Sequence, residues 1–65
     1  MPQFEYRLAY IVDDICVVRY DNERKKRGHR HFGEKGFAYA LVSPEQLVAD
    51  FKKDIERWGN ENGST

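Results

Sequence analysis

Phe4, Tyr6, Leu8, Tyr10 and Val12 alternate with Glu5, Arg7, Ala9 and Ile11 at the start of the chain. A period of two carried by aromatic and β-branched side chains predicts a strand over residues 4–12. Residues 15–22, ICVVRYDN, predict a second strand. Asp13-Asp14 between them fits a two-residue hairpin turn, although aspartate adopts the left-handed backbone of such turns less readily than glycine or asparagine. That turn sets Val12 opposite Ile15, Tyr10 opposite Val17, Leu8 opposite Arg19 and Tyr6 opposite Asp21. Residues 37–42, FAYALV, predict a third strand, with Phe37, Tyr39 and Leu41 on one face.

The period then changes. Ser43 is a good N-cap, Pro44 suits the first helical position, and Gln46 completes a capping box with Ser43. Leu47, Phe51, Ile55 and Trp58 follow at spacings of four, four and three, one apolar stripe on a helix. Gly59 predicts the stop. The helix is therefore expected over 44–58, with 60–65 a flexible polar tail. Residues 23–36 have no apolar period and contain Gly28, Gly33 and Gly36. They read as a long loop with a short extended piece around His29–Phe32, and loops of that length in compact domains are usually functional or disordered. The expected fold is α+β: a three-stranded antiparallel sheet (β-β-β) with one C-terminal helix packed on one face, a single domain over residues 1–59.

Sixty-five residues, 40% apolar and 14% aromatic, supply one small core. A chain of this size buries only about 60% of the surface its unfolded form exposes. That suffices for a sheet with one helix and is too little for a deep pocket, so no cofactor is expected. In the expected register both sheet faces are partly apolar. One helix cannot cover both, which predicts a homodimer or a complex through the open sheet edge or face. Cys16, in an apolar run, reads as a small buried hydrophobe rather than a reactive thiol. A lone cysteine makes no internal disulfide, which fits a reducing cytoplasm. The N-terminal MPQFEYR lacks the apolar region of a signal peptide, and no apolar run approaches the roughly 20 residues of a membrane span. A soluble cytoplasmic protein without a membrane partner is expected.

The net charge is formally zero, so no global field draws the chain to nucleic acid. The asymmetry is local. Of eleven Lys and Arg, Arg19, Arg24, Lys25, Lys26, Arg27, Arg30 and Lys35 fall in one stretch, and residues 24–31, RKKRGHRH, hold both histidines and no acid. Such clusters neutralise phosphates, with Tyr6, Tyr20 and Phe32 as candidate stacking faces for unpaired bases. The plain alternative is a solvated basic loop.

In an extended segment His29 and His31 project to one side. Two imidazoles among guanidinium groups suit metal-free RNA cleavage. One removes the 2′-hydroxyl proton, the other protonates the leaving oxygen, and the cations hold charge building on phosphorus. The same pair with Asp21 could ligate zinc or nickel, but the surrounding cations oppose a divalent ion and no metal is expected. Two exposed histidines without a task are the structural alternative. Asp21 would orient a histidine or pair with Arg19 or Arg30, and Asn22 would hold a backbone turn. No glycine-rich phosphate loop, HExxH, CxxC or serine-nucleophile motif is present.

Arg19-Tyr20-Asp21-Asn22-Glu23-Arg24, then His29-Arg30-His31, then the stretch from Ser43 to Phe51, resemble in order and spacing the TumE-type toxins of toxin–antitoxin systems. The likeness runs over roughly residues 6–58 and is to a short form, lacking the additional strands with which members usually begin. Where members read closer to Gly-Lys-Gly-Asp before His-Arg-His, this chain has Lys25-Lys26-Arg27-Gly28, which adds positive charge and favours phosphate binding. The resemblance implies a small cytoplasmic toxin neutralised by a helix-turn-helix antitoxin, with nuclease-like action on RNA. Carried over by motif, its polar cluster is Asp21, Asn22, His29, Arg30 and His31. The functional expectation is a toxin acting as a metal-independent endoribonuclease. His29 and His31 would be acid and base, Asp21 would orient, and Arg19, Arg24, Lys25, Lys26, Arg27 and Arg30 would hold phosphates. The alternative is a non-catalytic nucleic-acid-binding or protein-interaction module.

Overall fold

The computed structural model describes residues 5–22 and 28–62. Four strands form one antiparallel sheet: β1 (Arg7–Val12), β2 (Ile15–Asp21), β3 (Gly28–Phe32) and β4 (Lys35–Tyr39), in spatial order β1-β2-β3-β4. One helix, α1 (Pro44–Glu61), follows. The class is α+β, but the three-stranded sheet is corrected to four. The added strand, β3, lies in the stretch that reads as loop. Its central inward position is Arg30, so it lacks the apolar alternation by which a strand is recognised. β4 starts at Lys35, two residues before the expected third strand, and ends at Tyr39.

Asp13 and Asp14 have φ of 52° and 67°, the two positive values of a type I′ turn, and Val12 pairs with Ile15 across it. Beyond the next pair, Ile11 with Cys16, the expected register fails. Ile11 pairs with Cys16 but Tyr10 pairs with Val18, so Val17 is the extra residue of a β-bulge. From there on every partner moves by one, with Leu8 opposite Tyr20 and Arg7 opposite Asp21. A one-residue shift exchanges the faces of a strand. Val18 and Tyr20 thus join Tyr6, Leu8 and Tyr10 on the helix side, and Arg19 and Asp21 turn outward. The outer face is consequently polar along most of β2, which removes the two-apolar-faces ground for association. Cys16 is exposed rather than buried, its thiol 3.6 Å from the Val18 carbonyl oxygen. The second hairpin closes through Gly33-Glu34, with Phe32 opposite Lys35 and φ of 62° at Gly33, the glycine-first pattern of a type II′ turn.

The core is Tyr6, Val17, Val18, Tyr20 and Leu47, with Leu8, Tyr10, Phe32, Tyr39, Phe51 and Trp58 packed around it. Ser43 caps α1 by accepting the Gln46 N–H at 3.0 Å. Gln46 donates its side-chain amide N–H to Asp50 Oδ1 at 2.7 Å. The helix runs through Gly59 and closes at Asn62, whose backbone N–H and side-chain Nδ2 both donate to the Trp58 carbonyl, at 2.9 and 3.0 Å. No described helix is long and apolar enough to cross a membrane.

A polar clamp joins helix to sheet. Asp54, 6% exposed, accepts from the Tyr20 hydroxyl at 2.5 Å and lies 3.6 Å from Arg30 Nε. The Arg30 guanidinium also rests 4.8 Å from the centre of the Phe37 ring. One turn earlier, Tyr39 donates to Asp50 Oδ2 at 2.6 Å. Burial first, then the hydrogen bond to a carboxylate, pushes both tyrosine hydroxyls well above their ordinary pKa of about 10. The Tyr39 bond in turn holds the Asp50 carboxyl below its usual range. The folded chain therefore keeps tyrosine protons that the unfolded chain releases near pH 10. This contribution is complete below pH 10 and is lost as pH rises above it, by up to about 1.4 kcal/mol per pH unit for Tyr20. Urea midpoints are expected to be level from pH 8 to 10 and to fall above, and the fall should be shallower in Tyr20→Phe/Tyr39→Phe.

Candidate active site

Strand alternation sorts the side chains of β2 and β3. Tyr20 and Arg30 reach Asp54 on the helix side. Their neighbours Arg19, Asp21, His29 and His31 therefore stand on the opposite, uncovered face. Register then brings these four together. Asp21 is directly opposite His29, and Arg19 directly opposite His31. β1 extends the two rows with Arg7 opposite Asp21 and Ala9 opposite Arg19. β4 closes them with Ala38 opposite His29 and Gly36 opposite His31. Direct cross-strand neighbours have Cβ atoms about 5 Å apart, and residues two apart along a strand are separated by roughly 7 Å.

Arg19 Nε lies 3.5 Å from Asp21 Oδ2, with side-chain exposures of 39% and 25%. That ion pair is open enough for an incoming phosphate to share the guanidinium. The charge of Asp21 adds to burial in raising the Tyr6 hydroxyl pKa. Asn22 does more than hold a local turn: its Oδ1 accepts the Tyr6 N–H at 2.9 Å, and its own N–H reaches the Tyr6 carbonyl at 3.3 Å. It thereby fastens the end of β2, beside Asp21, to the segment leading into β1.

The expected site residues divide. His29, His31, Asp21 and Arg19 share one patch. Arg30 lies on the other side of the sheet, bound to Asp54 and Phe37. Arg24, Lys25, Lys26 and Arg27 lie outside the described residues. Tyr6 and Tyr20 are buried in the core and offer no stacking face. Phe32 is half-buried between Trp58, ring centres 5.8 Å apart, and the Arg57 guanidinium, 4.7 Å from its centre. Among the described residues no group of three His, Cys, Asp or Glu is placed to hold a metal ion. Arg7 joins the patch although sequence reasoning passed it over. Its signal is its place as a polar, outward position of the alternating first strand.

Chemically, the patch offers two imidazoles on a common face, a carboxylate beside one, and a guanidinium beside the other.

A family model described as Toxin TumE matches residues 1–59. No curated protein and no solved structure gives a significant match. With the match covering nearly all of a 65-residue chain, this protein belongs to the TumE toxin family, the toxin half of a pairing whose other half is an antitoxin.

Proposed function

We propose that this toxin acts in the cytoplasm by cleaving RNA without a metal ion, on the outer face of its sheet. The observation that carries the reading is the cross-strand pairing of Asp21 with His29 and Arg19 with His31. In the reaction one imidazole accepts the 2′-hydroxyl proton as the 2′-oxygen bonds to phosphorus. The bond from phosphorus to the 5′-oxygen breaks, and the other imidazole protonates that oxygen. The products are a 2′,3′-cyclic phosphate and a 5′-hydroxyl. Arg19 and Arg7 offset the charge that grows on the phosphoryl oxygens, and Asp21 orients His29 across the strand pair. Arg24, Lys25, Lys26 and Arg27, which connect β2 to β3 in sequence, attract the backbone of the substrate.

The partner in this reading is a helix-turn-helix antitoxin. The first hairpin offers it β1, an edge strand among the described residues, with Ile11 and Ile15 61% and 64% exposed, a surface that a second copy would also cover.

A non-catalytic RNA-binding module is the second reading, favoured by the same run of cations. Incubation of the purified chain with RNA in excess chelator separates the two. Cleavage is expected. Salt-sensitive binding of intact RNA would support the second reading, and binding indifferent to salt and to Lys26→Glu/Arg27→Glu would exclude both.

A further inference from the structure

We propose that Gly36 is a positioning residue that seats the imidazole of His31 across β4 and leaves Nε2 as its working nitrogen. The inference rests on the ribonuclease reading of the outer face. Glycine inside a strand weakens it and often marks the close approach of another group. Gly36 does not have the positive φ that marks Gly33 as a turn residue. A Cβ there would sit at the limit of ordinary van der Waals contact with one neighbour, and a larger side chain would claim that neighbour's space. A Cβ built on Gly36 would lie 3.4 Å from both Nδ1 and Cε1 of His31, and no other His31 atom comes within 4 Å. The Nδ1–Cε1 side of the ring is thus against β4, and Nε2 is turned away from it.

The same face contains its own comparison. His29 is paired with Ala38, which has a Cβ, and its side chain is exposed. His31 is paired with Gly36 and is half-buried. Two histidines on one strand and one face differ in burial, and their partners across β4 differ in side-chain size. An imidazole resting on backbone has fewer orientations to lose when substrate arrives, which is the advantage of a pre-positioned acid or base.

Gly36→Val tests this. Valine favours a strand, so the fold is kept, but its γ-methyls occupy the space of the ring. In the wild-type chain, nuclear Overhauser effects are expected between His31 Hε1 and the Gly36 α-protons. In Gly36→Val the effect between His31 Hε1 and the α-proton of residue 36 disappears, the thermal midpoint does not fall, kcat for RNA drops at least tenfold and KM changes less than threefold. In a His31→Ala background the same valine has no further effect on kcat, because the residue through which it acts is gone. The proposal is overturned if the wild-type chain shows no such Overhauser effect. It is equally overturned if Gly36→Val displaces the ring and cleaves RNA at the full rate. If the wild-type chain shows the effect but does not cleave RNA, the ribonuclease reading fails, and with it any catalytic meaning of the seat.

Discussion

Alanine at His29 or at His31 is expected to lower RNA cleavage by about 10²–10⁴-fold, the usual worth of a positioned acid or base, and to abolish growth arrest on expression. Far-UV circular dichroism is expected to stay unchanged in both variants. The fold is spared because both side chains stand on the uncovered face, outside the core of Tyr6, Val17, Val18, Tyr20 and Leu47. The two losses do not add: either histidine alone cannot complete a reaction that needs a proton removed at one oxygen and supplied at another. Growth arrest that persists in the double variant removes the two imidazoles from the mechanism.

Asp54→Ala has the largest expected effect on stability. It leaves Arg30 half-buried without its counter-charge and takes from Tyr20 the acceptor 2.5 Å away. Breaking a buried pair on one side costs about 3–5 kcal/mol. The Arg30 side chain is 27% exposed, so water compensates part of the loss and about 3 kcal/mol is expected here. In a domain of this size each 1 kcal/mol moves the thermal midpoint by about 4–8 °C, so the variant melts more than about 10 °C lower. Replacing both partners, Arg30→Met with Asp54→Leu, removes the stranded charge and recovers most of that loss. The Tyr20 hydroxyl still has the Asp50 carbonyl oxygen at 3.2 Å. A double variant as unstable as Asp54→Ala would show that the clamp works through something other than its charges. Thermal melts of the three chains decide this.

The contrast between Arg30 and its neighbours shows what could be read from the chain. That His29 and His31 share a face follows from period two alone, and so does the shared face of Arg19 and Asp21. Which face that is does not follow. It is set by Asp54, far along the chain on the helix, which attracts Arg30 to the helix side and makes a strand of a segment with no apolar alternation. The role of Arg30 changes accordingly, from a phosphate ligand to an anchor that holds β3 with its histidines outward. The first hairpin was legible in its alternation and its Asp-Asp turn. Its register was not, because the bulge at Val17 is made by an ordinary apolar residue that nothing local distinguishes. The helix start was written in Ser43-Pro44. Its end was misplaced at Gly59 because Asn62, bonding twice to the Trp58 carbonyl, is the stronger stop.

The bulge also explains how so small a chain carries a polar outer face. By placing Val18 and Tyr20 on the helix side it fills the core, and by the same shift it turns Arg19 and Asp21 toward the histidines. The core and the outer polar patch are two consequences of one extra residue.

In the proposed reaction the outer-face imidazoles move protons at an RNA 2′-oxygen and 5′-oxygen with no metal taking part. The direct measurement is the chemistry of the cut ends, made by the purified chain in excess chelator on an RNA and on the same strand carrying 2′-deoxy sugars. The RNA is expected to yield 2′,3′-cyclic phosphate and 5′-hydroxyl ends, and the deoxy strand to stay intact. Equal cutting of both strands, or activity that vanishes with the chelator, would contradict the proposed reaction.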